Sequence, residues 1–384
     1  MPIENRRESS GVVLVIDRVM HYHAATMKAI ESGLAAKGIK FSILSAQDSD
    51  AAVGRVALRD KVVGNHRHFR LTERRIGRFM LRFQHGLLGI VSPVNPAVVV
   101  STCHSGTLSE WLLLLWAGRR GIRRVAWQCG YEYNPNVVKR FLLKRLIPLF
   151  DFHLCYHTNA QKYAIDYGAA QRQTLVMHNT IDESRIISEG RASAKLRLAT
   201  EIPQIANKKV VLFVGAVLEE KRLDSIFHAL DLLGDDSLFF MLVGDGPYLS
   251  VLKQRYSCRT DWLSTGSVIH GVAEYFDAAD VFVLPGTGGL AINEAMAHRL
   301  PVISGYADGS ADDLVLDGET GFRLQTDEPR ELANKLRQLF ADPQLSEAMG
   351  AKGEALVRGH LSFESFIGRV VSVLVTQHEM VKVG

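Results

Sequence analysis

The segment 280–301 constrains the fold of this chain more than any other. Val281–Leu284 is a continuous apolar run, which is typical of a strand buried on both faces of a parallel sheet. Pro285 ends the run, and Ile292–Ala297 has the pattern of a helix. Three glycines lie between them, namely Gly286, Gly288 and Gly289. A strand, a glycine loop and a helix N-terminus in this order predict an α/β domain with a site for an anion.

Glu294 lies in the predicted helix, close to the glycine loop. A carboxylate can accept hydrogen bonds from two neighbouring hydroxyls, such as those of a ribose or a sugar ring. The loop and Glu294 together favour a ligand that carries both a phosphate and sugar hydroxyls. Glycine loops before helices are common in α/β proteins, so this segment alone does not decide the function.

The alternation of strands and helices occurs twice along the chain. In the first half the predicted strands are Val12–Ile16, Phe41–Ser45, Ala97–Ser101, Arg124–Trp127, Leu154–His157 and Thr174–His178. In the second half they are Val210–Gly215, Phe239–Val243 and Val281–Leu284. Two such arrays predict an α/β protein with two doubly wound, Rossmann-like domains that face a cleft.

The domain boundaries follow from the same pattern. We predict an N-terminal domain over residues 1–182 and a C-terminal domain over 208–357. Residues 183–207 are polar and contain Pro203, which indicates an irregular linker. Residues 358–384 contain the helical pattern Phe363–Val375, and we expect this helix to cross back to the first domain.

Charge is distributed unevenly along the chain. The net charge is +11 for residues 1–190 and −7 for residues 191–384, although the whole chain carries only +4. A basic half suits nucleic acid, an anionic membrane face or a phosphorylated acceptor. The longest apolar runs, such as Trp111–Ala117, are too short for a membrane span. The four cysteines form no CxxC pair, and no signal peptide is apparent, so we expect a cytoplasmic protein.

Several motifs of the second half resemble the signature of the family 4 retaining glycosyltransferases, which have the GT-B fold. The matching residues are Gly289-Leu290, Glu294-Ala295-Met296-Ala297, Pro301-Val302-Ile303 and Gly318-Glu319-Thr320-Gly321. The signature has a first glutamate eight residues before Glu294, and this position is Gly286 here. In the family that glutamate helps to hold the transferred sugar, so its loss leaves the identity of the donor open.

The resemblance implies a set of donor-binding residues in the second half. They are Gly215, Lys221, Arg222, Gly244, Gly288, Gly289, Leu290 and Glu294. By resemblance Lys221 meets the diphosphate of the donor and Glu294 its ribose, and both are candidate catalytic residues. In this chain Ala216 replaces an arginine of the family, and Arg222 is a candidate to compensate for it. Solvated cations at a helix start are the simpler alternative.

Candidate residues on the acceptor side come from the first half. His21 and His23 follow the first predicted strand, and His104 follows the strand Ala97–Ser101. His104 is the candidate catalytic residue of this half, and Glu132 is a candidate to bind or deprotonate an acceptor hydroxyl. The alternative for each histidine is a partly buried polar residue that caps the end of a strand.

Two stretches of the basic half are basic and apolar at once, namely 66–88 and 137–150. We interpret them as amphipathic segments that bind an anionic membrane surface. The alternative is that each is a core-facing helix with a solvated basic face. Nucleic acid is a less suitable partner, because the sequence contains no recognition module.

The residues and the resemblance predict a hexosyltransferase that uses a nucleotide sugar and a saccharide acceptor. The basic half favours a lipid-linked acceptor for a surface polysaccharide or glycolipid, and a peripheral position on the inner face of the cell membrane. We expect no cofactor and no metal, because no Asp-x-Asp site accompanies the motifs. A catalytically inactive GT-B subunit remains the alternative. An oxidoreductase is disfavoured, because no G-x-G-x-x-G follows the first strand.

Overall fold

The computed structural model divides into two compact units. It describes residues 11–20, 23–46, 61–77, 79–128, 135–268, 270–305 and 309–383. The first unit contains the described residues between 11 and 178 together with 366–383, and the second contains 179–365. Each unit is built around its own sheet, so two α/β units are present, as the sequence predicts.

The first unit contains an eight-stranded sheet in the order β4-β3-β2-β1-β5-β6-β7-β8. Its strands are β1 (Val12–Val15), β2 (Phe41–Ala46), β3 (His66–Ile76), β4 (Phe79–His85), β5 (Val98–Ser101), β6 (Arg123–Gln128), β7 (Phe152–Cys155) and β8 (Thr174–Val176). Its helices are α1 (His23–Ala35), α2 (Leu87–Val91), α3 (Leu108–Arg119), α4 (Val137–Leu146) and α5 (Thr158–Asp166). The strands pair in parallel except for β3 with β4, and β1 and β5 are buried at every residue, as parallel strands covered on both faces require.

The second unit contains a parallel sheet in the order β11-β10-β9-β12-β13-β14. Its strands are β9 (Lys209–Val214), β10 (Leu238–Val243), β11 (Trp262–Ser264), β12 (Val281–Leu284), β13 (Val302–Ser304) and β14 (Gly321–Arg323). Its helices are α6 (Arg191–Glu201), α7 (Asp224–Leu233), α8 (Leu249–Arg255), α9 (Val272–Ala278), α10 (Leu290–Ala297), α11 (Ser310–Leu314), α12 (Pro329–Ala341) and α13 (Pro343–Arg358). The predicted fold class, two Rossmann-like α/β domains, is confirmed.

The last helix, α14 (Phe363–Val383), joins the first unit from residue 366 onward. Within that unit, Arg369 donates a hydrogen bond to the carbonyl of Met177 at 3.1 Å. Arg123 donates to the side-chain oxygen of Gln377 from two guanidinium nitrogens, at 2.9 and 2.7 Å. The first unit is therefore completed by the end of the chain.

The prediction of an irregular linker over 183–207 is wrong. These residues contain α6, whose Ala194 and Leu198 are buried in the apolar core of the second unit. Lys195 forms an ion pair with Asp280 at 2.8 Å, next to the start of β12. The polar composition of the segment reflects the solvent-facing side of a packed helix.

The alternative interpretation of 66–88, a core-facing helix with a solvated basic face, is also wrong, because most of this segment forms the hairpin β3–β4. The first residues of β3 pair in parallel with β2, up to Ala46 opposite Phe69. Arg70–Ile76 then pair in antiparallel register with β4, with Ile76 opposite Phe79. Strand pairing at the sheet edge satisfies the backbone of this basic segment, which a sequence pattern alone does not reveal.

Candidate functional site

The loops that follow β9 and β12 lie at one edge of the second sheet. Both strands are parallel neighbours, and the strand order reverses between them, which is where open α/β sheets bind ligands. Lys221 lies in the loop after β9, and its ammonium donates a hydrogen bond to the carbonyl of Thr287 in the loop after β12. A methyl group on Gly288 would come within 3.0 Å of the Lys221 Nζ. The structure therefore places Lys221 against the glycine loop, and their predicted contact with a diphosphate stays a prediction.

Gly286 occupies a position where no side chain fits. A Cβ at this residue would lie 2.0 Å from the carbonyl oxygen of Glu220 and 2.7 Å from the Cα of Lys221. The amide of Thr287 also donates to the carbonyl of Glu220, at 3.3 Å. The glycine therefore allows two backbone segments to touch, and it places Lys221 against the loop. A glutamate at this position would therefore require the backbone of the loop to move.

Glu294 lies near the middle of α10, the helix that begins with Leu290 immediately after Gly289. Burial raises the pKa of its carboxyl, and the nearby His298 opposes this effect. Within the described part of the chain, the Glu294 carboxylate accepts no hydrogen bond. A half-buried carboxylate in this state can accept hydrogen bonds from ligand hydroxyls.

Helix α10 is held by two buried polar contacts that the sequence analysis missed. Asn293 donates to the hydroxyl of Thr180 at 3.0 Å. His298 Nδ1 lies 2.7 Å from a carboxylate oxygen of Asp277, which also accepts from the hydroxyl of Ser188 at 2.6 Å. These contacts fix the rotation of the helix that carries Glu294. The participating residues are far apart in sequence, so no local pattern marks them.

Gly215 and Gly244 pack against each other. Both adopt positive φ angles, 146° and 141°, and a Cβ on Gly244 would lie 1.9 Å from the carbonyl oxygen of Gly215. The loops after β9 and β10 touch through these residues. The two glycines therefore shape the edge of the sheet, and their predicted contact with a donor stays a prediction.

Arg222 directly follows Lys221, but its side chain has a different partner. It adopts a left-handed conformation with φ of 56°, and α7 begins only at Asp224, so Arg222 precedes the helix. Its guanidinium forms an ion pair with Asp327. Arg222 lines a cavity of about 330 Å³ together with Asp224 and Tyr248. To meet a diphosphate, Arg222 would have to leave Asp327, so the geometry does not support its compensating for the missing arginine.

The acceptor-side candidates lie at the carboxyl edge of the first sheet, where β1 and β5 are parallel neighbours and the strand order reverses. His104 follows β5 and is half-buried. His23 begins α1 after β1, and its Nδ1 accepts from the amide of Met20 at 3.2 Å. The topology therefore places His23 and His104 at the same edge. The other two candidates, His21 and Glu132, lie outside the described residues.

Glu110, which the sequence analysis did not single out, holds the backbone of the loop after β5. This carboxylate is 2% exposed and accepts from the amides of Cys103 and His104, at 2.8 and 2.7 Å. Burial raises the pKa of Glu110 to about 7, even though the hydroxyl of Ser101 and these two amides favour the ionised form. The loop that carries His104 is thus held by a carboxyl group that titrates near neutral pH.

The surface of the first unit exposes apolar residues beside basic ones. On the hairpin, Ile76, Met80 and Phe83 are exposed, and the exposed Arg74 and Arg75 precede Ile76 on β3, with Arg75 paired opposite Met80. On α4 the exposed residues are Val137, Val138, Phe141, Arg140, Lys144 and Arg145. No helix in the described part of the chain is long and apolar enough to span a bilayer.

Comparisons with known proteins agree with this architecture. Residues 208–342 match the model for glycosyl transferases group 1. The sulfoquinovosyl transferase SQD2 of Arabidopsis thaliana is 30% identical over 161 residues, which are 41% of this chain and 31% of that protein. A GDP-mannose-dependent alpha-(1-6)-phosphatidylinositol monomannoside mannosyltransferase of Mycolicibacterium smegmatis is 28% identical over 191 residues, 45% and 48% of the two chains. Each match thus spans less than half of the relative.

The likeness to solved structures covers both units. HepE of Anabaena, solved in complex with UDP, superimposes with a TM-score of 0.72 over 95% of this chain and 100% of that one, at 16% identity. At this identity the likeness concerns the fold. The chain therefore has the fold of the GT-B glycosyltransferases, and its residues 208–342 carry the match to glycosyl transferases group 1.

Proposed function

We propose that this protein is a glycosyltransferase that moves a hexosyl group from a nucleotide sugar to a saccharide acceptor, with retention of configuration. The observation that carries the proposal is the contact of Lys221 with the glycine loop 286–289, together with Glu294 in the helix that begins directly after this loop. All three lie within the segment that matches glycosyl transferases group 1. HepE, which shares the fold, binds UDP and UDP-glucose.

Each of these groups fits one part of a nucleotide-sugar donor. When the bond between the sugar and the diphosphate breaks, negative charge develops on the leaving phosphate, and the ammonium of Lys221 would offset it. The amides of Gly288 and Gly289 would donate to phosphate oxygens at the start of α10. The Glu294 carboxylate would accept from the ribose hydroxyls. On the acceptor side, His104 is our candidate to take the proton from the attacking hydroxyl.

The donor can be identified with a thermal-shift panel of nucleotide sugars, because a ligand that binds only the folded state raises the melting temperature. With the best ligand, Lys221→Ala should lower kcat more than donor affinity, since the phosphate charge grows as the bond breaks. Lys253→Ala, at an exposed position of α8, is the control. A Lys221→Ala variant that lost only donor affinity would contradict the leaving-group role.

The alternative, an inactive subunit that binds a sugar nucleotide, gives a different result in the same assay. Wild-type protein would show a thermal shift with a nucleotide sugar but no release of nucleoside diphosphate with any acceptor extract. We expect release, and we expect it to persist in EDTA, because Lys221 supplies the positive charge in this proposal. Loss of activity in EDTA with recovery in Mg²⁺ or Mn²⁺ would contradict a metal-independent reaction.

We also propose that the acceptor is lipid-linked and that the protein works at the inner face of the cell membrane, in surface polysaccharide or glycolipid synthesis. The name of the mycobacterial relative includes a phosphatidylinositol acceptor. Residues 1–190 carry a net charge of +11, and the hairpin β3–β4 and α4 expose apolar side chains beside arginines. Each Lys or Arg near an anionic membrane contributes on the order of 1 kcal/mol, and buried apolar side chains add a part that salt does not weaken.

Vesicle flotation tests this surface. Wild-type protein should float with anionic vesicles, less so at high salt, and the double variant Arg74→Glu with Arg75→Glu should float less. The matched control changes Lys37 and Lys40 to Glu, because both are exposed on the first unit but outside the hairpin and α4. Failure of the wild-type protein to bind anionic vesicles at low salt would favour a soluble acceptor.

A further inference from the structure

The loop between β5 and α3 is held from several directions. Thr107 donates its amide to the carbonyl of His104 at 3.0 Å, and the indole of Trp111 donates to the carbonyl of Ser105 at 3.1 Å. The amide of Arg82 on the hairpin donates to the carbonyl of Gly106 at 2.9 Å. The loop is therefore one fixed piece of backbone at the carboxyl edge of the first sheet.

Glu110 supplies further contacts to this loop, and they differ from those that a glutamate at the third position of a helix usually makes. Thr107 and Glu110 have the spacing of a capping box, in which the glutamate accepts from the amide of the N-cap residue. Here the carboxylate reaches past Thr107, and its two oxygens accept separately from the amides of Cys103 and His104. A helix-capping role alone would not need either of these contacts.

The contacts of Glu110 stabilise a backbone conformation that is otherwise unfavourable. Cys103 has φ of 57°, in the left-handed region, which costs a residue with a side chain about 1–2 kcal/mol. The amide on each side of the Cys103 Cα is bound by one oxygen of the same carboxylate. The direction in which His104 leaves the sheet therefore depends on Glu110.

We propose that Glu110 is a positioning residue for the transfer reaction, which fixes the main chain of Cys103 and His104 so that His104 is presented at the reversal point between β1 and β5. This inference rests on the proposed function. An ionised Glu110 accepts both amides, whereas protonation of one oxygen weakens one of the two contacts. The pKa of about 7, raised by burial and further by the charge of Asp17 in the neighbouring loop, makes this change occur near neutral pH. The groups that face Glu110 are Asp17, Ser101 and the loop with His104.

The contact can be tested without a substrate. The chain has four cysteines, so ¹⁵N-cysteine labelling gives few amide signals, and Cys103→Ser assigns the relevant one. The amide proton of Cys103 should shift between pH 5.5 and 8.5 with an inflection near 7, and Glu110→Gln should abolish the shift. The amide of Cys155, inside β7, is the control. A Cys103 amide that does not titrate, or that titrates equally in Glu110→Gln, would overturn the proposal.

The role in turnover requires a second measurement, with the sugar nucleotide that gives the largest thermal shift. At pH 8, Glu110→Gln should lower kcat about tenfold or more and leave donor affinity within twofold, because the donor residues belong to the other unit. The control is Glu31→Gln, which removes a carboxylate contact to the amide of Gly64 at 3.0 Å in the same unit. If Glu110→Gln kept the kcat of the wild type and bound the donor normally, the positioning role would be wrong, but the proposed function would stand. Absence of donor binding by the wild-type protein would overturn the proposed function itself. If Glu110→Gln does not fold, the wild-type amide titration decides.

Discussion

The loop after β12 and the loop after β5 occupy equivalent places in their two sheets, but they are shaped by opposite means. In the second unit, Gly286 has no side chain and lets two backbone segments touch. In the first unit, the side chain of Glu110 extends from α3 and binds two backbone amides. The loop after β12 requires a residue without a side chain at position 286, whereas the loop after β5 requires the buried carboxylate of Glu110.

This difference determines how each loop responds to change. The glycine contact has no titratable group, so its stability does not depend on pH, but it tolerates no larger residue. The carboxylate contact changes with the protonation of Glu110. The donor-side loop should therefore be sensitive to size, and the acceptor-side loop should be sensitive to pH.

The largest effect is expected from Gly286→Ala. Its Cβ would lie 2.0 Å from the backbone oxygen of Glu220, so two main-chain segments must separate, at a cost of about 3 kcal/mol or more. Affinity for nucleoside diphosphate should fall as well, because Lys221 moves with its neighbour. Urea unfolding and calorimetry measure the two quantities.

Gly89→Ala is the matched control for Gly286→Ala. Gly89 lies in helix α2, and a Cβ there meets no atom within 4 Å. Its replacement should be neutral or slightly stabilising, since alanine is the better helix former. If Gly286→Ala were as stable as Gly89→Ala, the close backbone contact would not determine the loop.

The next effect is a pH dependence caused by Glu110. Because its pKa is raised from 4.5 to about 7 in the folded protein, the folded state binds the proton more tightly than the unfolded state. Its contribution to stability is therefore fully present below pH 4.5 and is lost as the pH rises through 7. The free energy of unfolding of the wild type, minus that of Glu110→Gln, should fall by about 3 kcal/mol across this range. A constant difference would show that the carboxyl does not titrate there.

A smaller effect is expected from Glu294→Ala on the donor side. Loss of a charged hydrogen bond should weaken nucleotide-sugar binding by about 1–3 kcal/mol in calorimetry. Glu319→Ala, in an exposed turn of the same unit, should leave the affinity unchanged. Unchanged affinity in Glu294→Ala would contradict its contact with the ribose.

The smallest effect is expected from Arg222→Ala. Arg222 and Asp327 form an exposed ion pair, and such pairs contribute about 0–1 kcal/mol. Neither stability nor donor affinity should change by more than that. A large loss of donor affinity would show that Arg222 leaves Asp327 to meet the phosphate, and it would restore the interpretation of Arg222 as a replacement for the missing arginine.

The sequence determined the features that depend on local pattern. Continuous apolar runs such as Val281–Leu284 predicted buried parallel strands, and their alternation with helices predicted two Rossmann-like units. Lys221 and the glycine loop were predicted to bind the same donor, and the structure places Lys221 in contact with Thr287 of that loop. The strand predictions succeed because a strand buried on both faces must be apolar throughout. Lys221 and the glycine loop come together because the loops that follow two neighbouring parallel strands lie at the same edge of the sheet.

The tertiary structure decided the features that depend on distant partners. The basic segment 66–88 became a hairpin because β2 offered a strand edge, and the polar segment 183–207 contained a helix because the second core accepted Ala194 and Leu198. Gly286 replaces a glutamate of the family signature, and only the structure shows the backbone of Glu220 packed against it. Glu110 binds the amides of Cys103 and His104, which lie in the loop before its own helix α3. In each case the free energy comes from a contact with a residue whose position the local sequence does not specify.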